Sequence, residues 1–126
     1  LLLAAKTEIG GQVLQLFNAH LQAFFIIDYS SDDHREQRDV VEAYLKESEL
    51  PTILGGDMNS APGEHLVEQF ARIGYKTAQR SCITWKRMPY VLDHMFYNEQ
   101  LELIETKVIA TLAADHDILR TRFELK

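Results

Sequence analysis

The sequence predicts a mixed α/β (α+β) domain: one mostly antiparallel sheet with helices on one face. Three observations carry that expectation. Two stretches, near residues 33–46 and 62–73, repeat apolar residues at helical spacing. Short apolar or β-branched runs flank them on both sides. The order strand, helix, strand, helix then gives way after Gly74 to strand upon strand, which suits a layered sheet and not a helical bundle.

Taken in order, Gly10-Gly11 reads as a tight turn. Residues 12–20 follow it as a strand that runs into a loop near His20. Residues 24–27 form a second short apolar run, a brief strand or a covered loop. The clearest helix starts at Ser31-Asp32-Asp33, where Asp33 and Glu36 have the spacing of a capping box. Val40, Val41, Tyr44 and Leu45 fall on its expected buried face, and it ends before Pro51. Residues 52–57 read as a buried strand terminated by glycines. Ser60, Pro62 and Glu64 mark a second helix start, with Leu66, Val67, Phe70 and Ile73 as its stripe and Gly74 as its stop. Residues 82–85, 91–97, 101–109 and 118–125 complete the pattern as strands.

Composition narrows the function classes. A chain of 126 residues, 46% of them hydrophobic, is the size of one domain with a core of its own. The single cysteine, Cys82, cannot close an internal disulfide. Apolar runs such as residues 1–5 and 23–27 are far too short to span a bilayer, and the first lacks the basic flank of a signal peptide. A cytoplasmic location is the expectation. Thirteen basic residues stand against nineteen acidic ones, and no basic cluster exceeds Lys86-Arg87. Duplex nucleic acid as a bulk electrostatic partner is disfavoured, although a bound divalent cation can supply the positive charge that a phosphate needs.

Polar residues that end or interrupt buried strands are the candidates for chemistry. In residues 54–60 an extended backbone would point Asp57 and Asn59 the same way, a carboxylate beside a carboxamide able to orient water or a phosphate oxygen. The plainer reading is an Asx turn in which both residues cap a loop. Asp115-His116 precedes the last strand, as a base with its orienter, a metal site, or only a polar turn. Asp93 lies in an apolar strand and needs a partner, for which His20 is a candidate. His34 and His65 are expected on solvated helix faces, and His94 on the strand face opposite Asp93. Cys82 reads as apolar filler. No zinc-spaced histidine pair, glycine-rich phosphate loop or nucleophile elbow is present in the sequence.

In order, Asn18-Ala19-His20-Leu21, Gly56-Asp57-Met58-Asn59-Ser60, Leu92-Asp93-His94-Met95-Phe96 and Ala114-Asp115-His116-Asp117 resemble the endonuclease/exonuclease/phosphatase superfamily, in its bacterial and sphingomyelinase-like branch. Arg35 and Gln37 would sit on the helix after the first motif. The resemblance implies hydrolysis of a phosphodiester or phosphomonoester by in-line attack of water with Mg2+ or Mn2+. Asp57 would position or deprotonate that water, supported by Asn59, and both would be near the metal. His116 would bind a phosphate oxygen or move a proton, with Asp115 orienting it or touching a metal. His20 would assist the leaving group, held by Asp93.

The resemblance covers only the C-terminal half of that family's pattern, so residues 1–126 are expected to form a single half-domain. It would be half of a four-layer α/β/β/α sandwich. Nothing before Asn18 matches the family's principal metal-binding Glu, and Glu8 lacks its surroundings, which implies weak magnesium binding. Ala114 stands where the family has Ser. An uncovered sheet face implies a homodimer stacked sheet to sheet, or a missing N-terminal lobe. The alternative function is a catalytically silent half-domain acting as an assembly module.

Overall fold

The computed structural model describes residues 1–23, 34–60, 65–79, 82–87 and 90–126. The chain opens with a hairpin of β1 (Leu2–Ile9) and β2 (Gln12–Ala19), paired from Leu2↔Ala19 to Ile9↔Gln12. Gly10 and Gly11 sit at φ 60° and 82°. A two-residue hairpin turn with both φ positive matches the natural strand twist, and glycine reaches it without a Cβ penalty.

Helix α1 (Arg35–Lys46) lies in the connection to β3 (Thr52–Asp57), which pairs parallel to β2. A parallel neighbour cannot follow through a tight turn, so the helix lies on one face of the sheet. Helix α2 (His65–Ala71) leads to the two-residue edge strand β4 (Lys76–Thr77), and β5 (Asp93–Tyr97) inserts between β4 and β3. The sheet order is β1-β2-β3-β5-β4. Strands β6 (Leu101–Ile109) and β7 (Ile118–Leu125) were expected in the same sheet. They pair with each other as a separate ribbon, bulged between Leu103 and Glu105. The ribbon touches the main sheet where Phe123 meets Tyr97 at a ring separation of 5.0 Å.

The core lies between the sheet and the two helices. Phe17, Ala19, Leu54 and Phe96 from the strands meet Val41, Leu45, Leu66 and Phe70 from the helices. The Phe70 and Phe96 rings meet edge to face at 5.0 Å, a favoured aromatic geometry. Tyr75 fixes α1 by donating its hydroxyl to the Leu45 carbonyl at 3.1 Å. Gly74, at φ 88°, ends α2 as its position suggests.

Four sequence expectations are corrected. The buried stripe of α1 is Arg38, Val41 and Leu45, while Val40 and Tyr44 are half exposed. The helix is rolled so that the i, i+3 and i+7 positions face inward, and the whole Arg38 side chain, guanidinium included, is buried where an apolar residue was expected. His34 is buried, its Nε2 lying 3.4 Å from the Ser60 hydroxyl. Residues 82–85 make no strand; only Trp85 forms isolated bridges, to Tyr90 and His116. Cys82 is partly exposed instead of being core filler. Residues 24–27, Asp33 of the capping box, and Pro62 and Glu64 lie outside the described residues. Among the described residues no helix is long and apolar enough to cross a membrane.

Candidate active site

The site forms where strand ends converge. In the β3–β5 ladder Asp57 is directly opposite Asp93, so the two carboxylates share one face of the sheet. That face is turned away from the helices, because Leu54 and Phe96, which pair one register position off in parity, point into the core. At the end of β2 the chain is laced to β3 by the Leu21 N–H donating to the Asp57 carbonyl at 3.0 Å. This lacing sets His20 beside Asp57, with His20 Nε2 3.8 Å from Asp57 Oδ2.

Gly56 permits the approach. Its φ is 142°, and a Cβ there would stand 2.0 Å from the Ala19 carbonyl oxygen. Only glycine lets the β2 and β3 backbones close at that point.

His116 arrives from the loop before β7. The Asp117 N–H donates to the Thr84 carbonyl at 2.7 Å, and the Lys86 N–H to the Asp115 carbonyl at 3.0 Å. His116 Nδ1 lies 2.8 Å from Asp93 Oδ2, and its Nε2 lies 3.7 Å from Asp57 Oδ2. The indole of Trp85 flanks the imidazole at 6.5 Å between ring centroids. Asp57, Asp93 and His116 place one ligand atom each within 4.8 Å of one another, a group able to hold a metal ion.

Electrostatics separates the roles. Burial, the largest influence, raises the Asp57 pKa above the ordinary carboxylate value, helped by the neighbouring Asp93 charge; the hydrogen bond from Asn59 and the histidine charges offset it only in part. For His116, burial is again the largest single influence and works against the imidazolium. The hydrogen bond and charge of Asp93, with the charges of Asp57 and Asp115, together outweigh it and raise the His116 pKa. A carboxylate made more basic beside an imidazole made less acidic is a usable base and cation pair.

Asn59 shows that the Asx turn is the conformation adopted. Its φ is 47° and its backbone N–H donates to Asp57 Oδ1 at 2.9 Å. The strand has ended, so Asp57 and Asn59 do not project side by side. The Asn59 carboxamide instead donates to the Leu21 carbonyl at 2.8 Å, and among the described residues its buried Oδ1 accepts no hydrogen bond. Asp93 partners His116 and not His20, and His20 stands by Asp57. Asp115 is exposed, and its carboxylate faces Arg87 Nε at 3.4 Å. His94 is buried on the opposite face from Asp93, its Nε2 2.6 Å from the Ser60 carbonyl and its Nδ1 3.2 Å from the Thr77 hydroxyl. It thus braces the loop after Asp57 from below. His65 is exposed, and Gln37 accepts the Gln22 N–H at 2.9 Å.

Residues 16–116 match the model of the endonuclease/exonuclease/phosphatase family. The chain belongs to that family. The chain is also similar to a UPF0294 protein of Vibrio campbellii (strain ATCC BAA-1116), 30% identical over 121 residues, which are 92% of this chain and 42% of the relative. The fold is shared with an endonuclease/exonuclease/phosphatase from Beutenbergia cavernae DSM 12333 at a TM-score of 0.77 and 17% identity, over 98% of this chain and 39% of that one. It is also shared with a mannosyl-6-phosphatase from Bacteroides thetaiotaomicron VPI-5482 at a TM-score of 0.69 and 17% identity, over 92% and 53%. The chain therefore spans about half or less of the length of these relatives and structural neighbours.

Proposed function

We propose that this family member carries the hydrolytic centre of a metal-dependent phosphoesterase, acting on a phosphodiester or phosphomonoester. The observation that carries the reading is the convergence of Asp57, Asp93 and His116 from three separate segments to within 4.8 Å. Two carboxylates are what magnesium commonly takes from a protein, the remaining positions going to water and phosphate oxygens, and the imidazole also suits manganese. The donor set therefore fits Mg2+ or Mn2+, which Asp57, Asp93 and His116 would hold. When bound, such an ion neutralises charge on the phosphoryl oxygens and acidifies water.

The chain's own groups supply the proton movements. Asp57 accepts a proton from the attacking water, whose oxygen bonds to phosphorus as the ester P–O bond breaks in line. His116, aligned through Nδ1 by Asp93, turns Nε2 toward Asp57, where it would offer its lone pair to the ion. His20 gives a proton to the leaving oxygen. Asp57 then loses its proton to solvent and His20 takes one up, which restores the starting state.

The face that carries the site also bears Leu3, Leu16, Ile53 and Met95, by register with Asn18, Gly55 and one another. Leu3 is 56% exposed. We assign this face to a covering lobe, because about half of the mannosyl-6-phosphatase lies outside the match. A second copy is the other outcome of a sedimentation measurement, and a chain that stays monomeric at micromolar concentration with full activity would refute the need for either.

The experiment for the hydrolytic reading is turnover of bis(4-nitrophenyl) phosphate and 4-nitrophenyl phosphate with Mg2+ or Mn2+, comparing wild type with Asp57→Ala. Turnover that needs the ion and is lost in Asp57→Ala is expected. Turnover unchanged in Asp57→Ala, or absent with both ions and both substrates, would overturn the reading in favour of a silent module.

A further inference from the structure

Outside the catalytic group, the Lys86 side chain meets three acceptors of a single loop. Its ammonium donates to the carbonyls of Thr111 and of Ala114, the latter at 2.7 Å, and lies 3.1 Å from Asp117 Oδ1. An ammonium has three donors, and here each meets an acceptor of one short loop. The loop also folds onto itself around that charge. Asp117 Oδ1 accepts the Thr111 N–H at 3.1 Å, and the Thr111 hydroxyl accepts the Ala113 N–H at 3.1 Å. Arg87 straps the same loop from outside through Asp115.

The segment so held, residues 111–117, contains His116. Two carbonyls and a carboxylate turned toward one point repel each other unless a cation sits between them. The cation is therefore what lets the loop adopt this shape. Lys86 is an exposed residue, but it is tied to the loop a second time: its backbone N–H is bonded to the carbonyl of Asp115, the residue before His116.

We propose that Lys86 is the positioning residue for His116, its ammonium serving as an internal cation around which the loop closes. The proposal rests on the phosphoesterase reading for its consequence in turnover, but not for its geometry. Lys86 touches no reacting atom. It acts by fixing where the His116 imidazole meets Asp93.

The test compares Lys86→Ala and Lys86→Met with wild type, each first shown to be folded by circular dichroism. The Met variant keeps the aliphatic stem and guards against simple loss of packing. The direct readout is the 15N signal of His116 Nδ1, which reports its hydrogen bond to Asp93. Both variants are expected to lose that signature. Hydrolysis of bis(4-nitrophenyl) phosphate should fall about 10²-fold in kcat, the scale of an ångström-sized misplacement, with KM nearly unchanged. Added n-propylammonium, which replaces the atoms missing in Lys86→Ala, should restore the His116 signal and the rate there. It should not do so in Lys86→Met, whose side chain still fills the space that the added cation would need. A His116 signal unchanged in both variants would overturn the proposal. A lost signal that n-propylammonium restores, in a protein with no turnover at all, would leave the positioning role standing and refute the phosphoesterase reading instead.

Discussion

Gly56→Ala should be among the most damaging conservative substitutions in the chain, and its cost can be worked from the backbone. The new methyl would stand 2.0 Å from the Ala19 carbonyl oxygen, which belongs to the β2 backbone and has no rotamer to escape into. Forcing an L-residue to φ 142° adds about 1–3 kcal/mol of strain. Opening the strands to relieve the clash costs about 1–3 kcal/mol more. The sum, about 2–6 kcal/mol, is a large share of the ~5–15 kcal/mol that holds a domain folded. In urea it corresponds to a midpoint lowered by about 1–3 M for a typical slope of ~2 kcal/mol/M. Gly10→Ala is the control. That glycine also has positive φ, but nothing lies within 4 Å of its would-be Cβ. It should lose only about 1 kcal/mol, the left-handed penalty partly offset by a stiffer unfolded chain. The difference isolates the close approach of β2 to β3, which also sets the His20 to Asp57 distance. Equal midpoints for the two variants would refute the reasoning.

Asp57, with its pKa raised by burial, contributes stability only while protonated: the contribution is complete below the unfolded value and lost as pH rises through the folded one. Without added metal, Asp57→Asn should therefore match wild type at low pH and exceed it at pH 7, and a less stable Asn variant at pH 7 would contradict this. For His116 the raised pKa means stability present below the ordinary histidine value of 6.5 and lost as pH rises through the higher folded one. Trp85, the only tryptophan, lies against that ring, so its fluorescence should titrate above 6.5 in wild type and fall back in Asp93→Asn. A midpoint indifferent to Asp93 would break the assigned pairing. Phe96→Ala removes a fully buried ring packed on Phe70 and should cost about 3–5 kcal/mol, read as a lowered Tm.

Much of this architecture was legible because short-range rules decide it. The glycine pair at 10–11 forces a hairpin turn, and residues 52–57 read as a buried strand for the same reason that they occupy the sheet centre. The Asx turn at Asp57 and Asn59 was one of the two readings that the local spacing allowed. Long-range choices were not legible. Asp93 needed a partner, and two histidines lay at plausible strand ends; only the fold of the 111–117 loop decides for His116. That fold depends on Lys86, a residue whose sequence context, one of two adjacent basic residues, marks it as ordinary surface. The burial of His34 and Arg38 is likewise invisible locally, because both carry polar tips and are placed by tertiary packing. The two-residue strand β4 is too short for any periodicity. The separate β6–β7 ribbon alternates as a sheet strand would, so its pairing cannot be read from pattern.

The central claim is that Asp57, Asp93 and His116 form one divalent-cation centre. Mn2+ titration followed by electron paramagnetic resonance tests it most directly, since bound ion leaves the sharp six-line signal of the free ion. One saturable site in wild type, strongly weakened in both Asp57→Ala and Asp93→Ala, is the predicted result. Binding of equal strength in all three proteins, or none at millimolar Mn2+, would contradict the account.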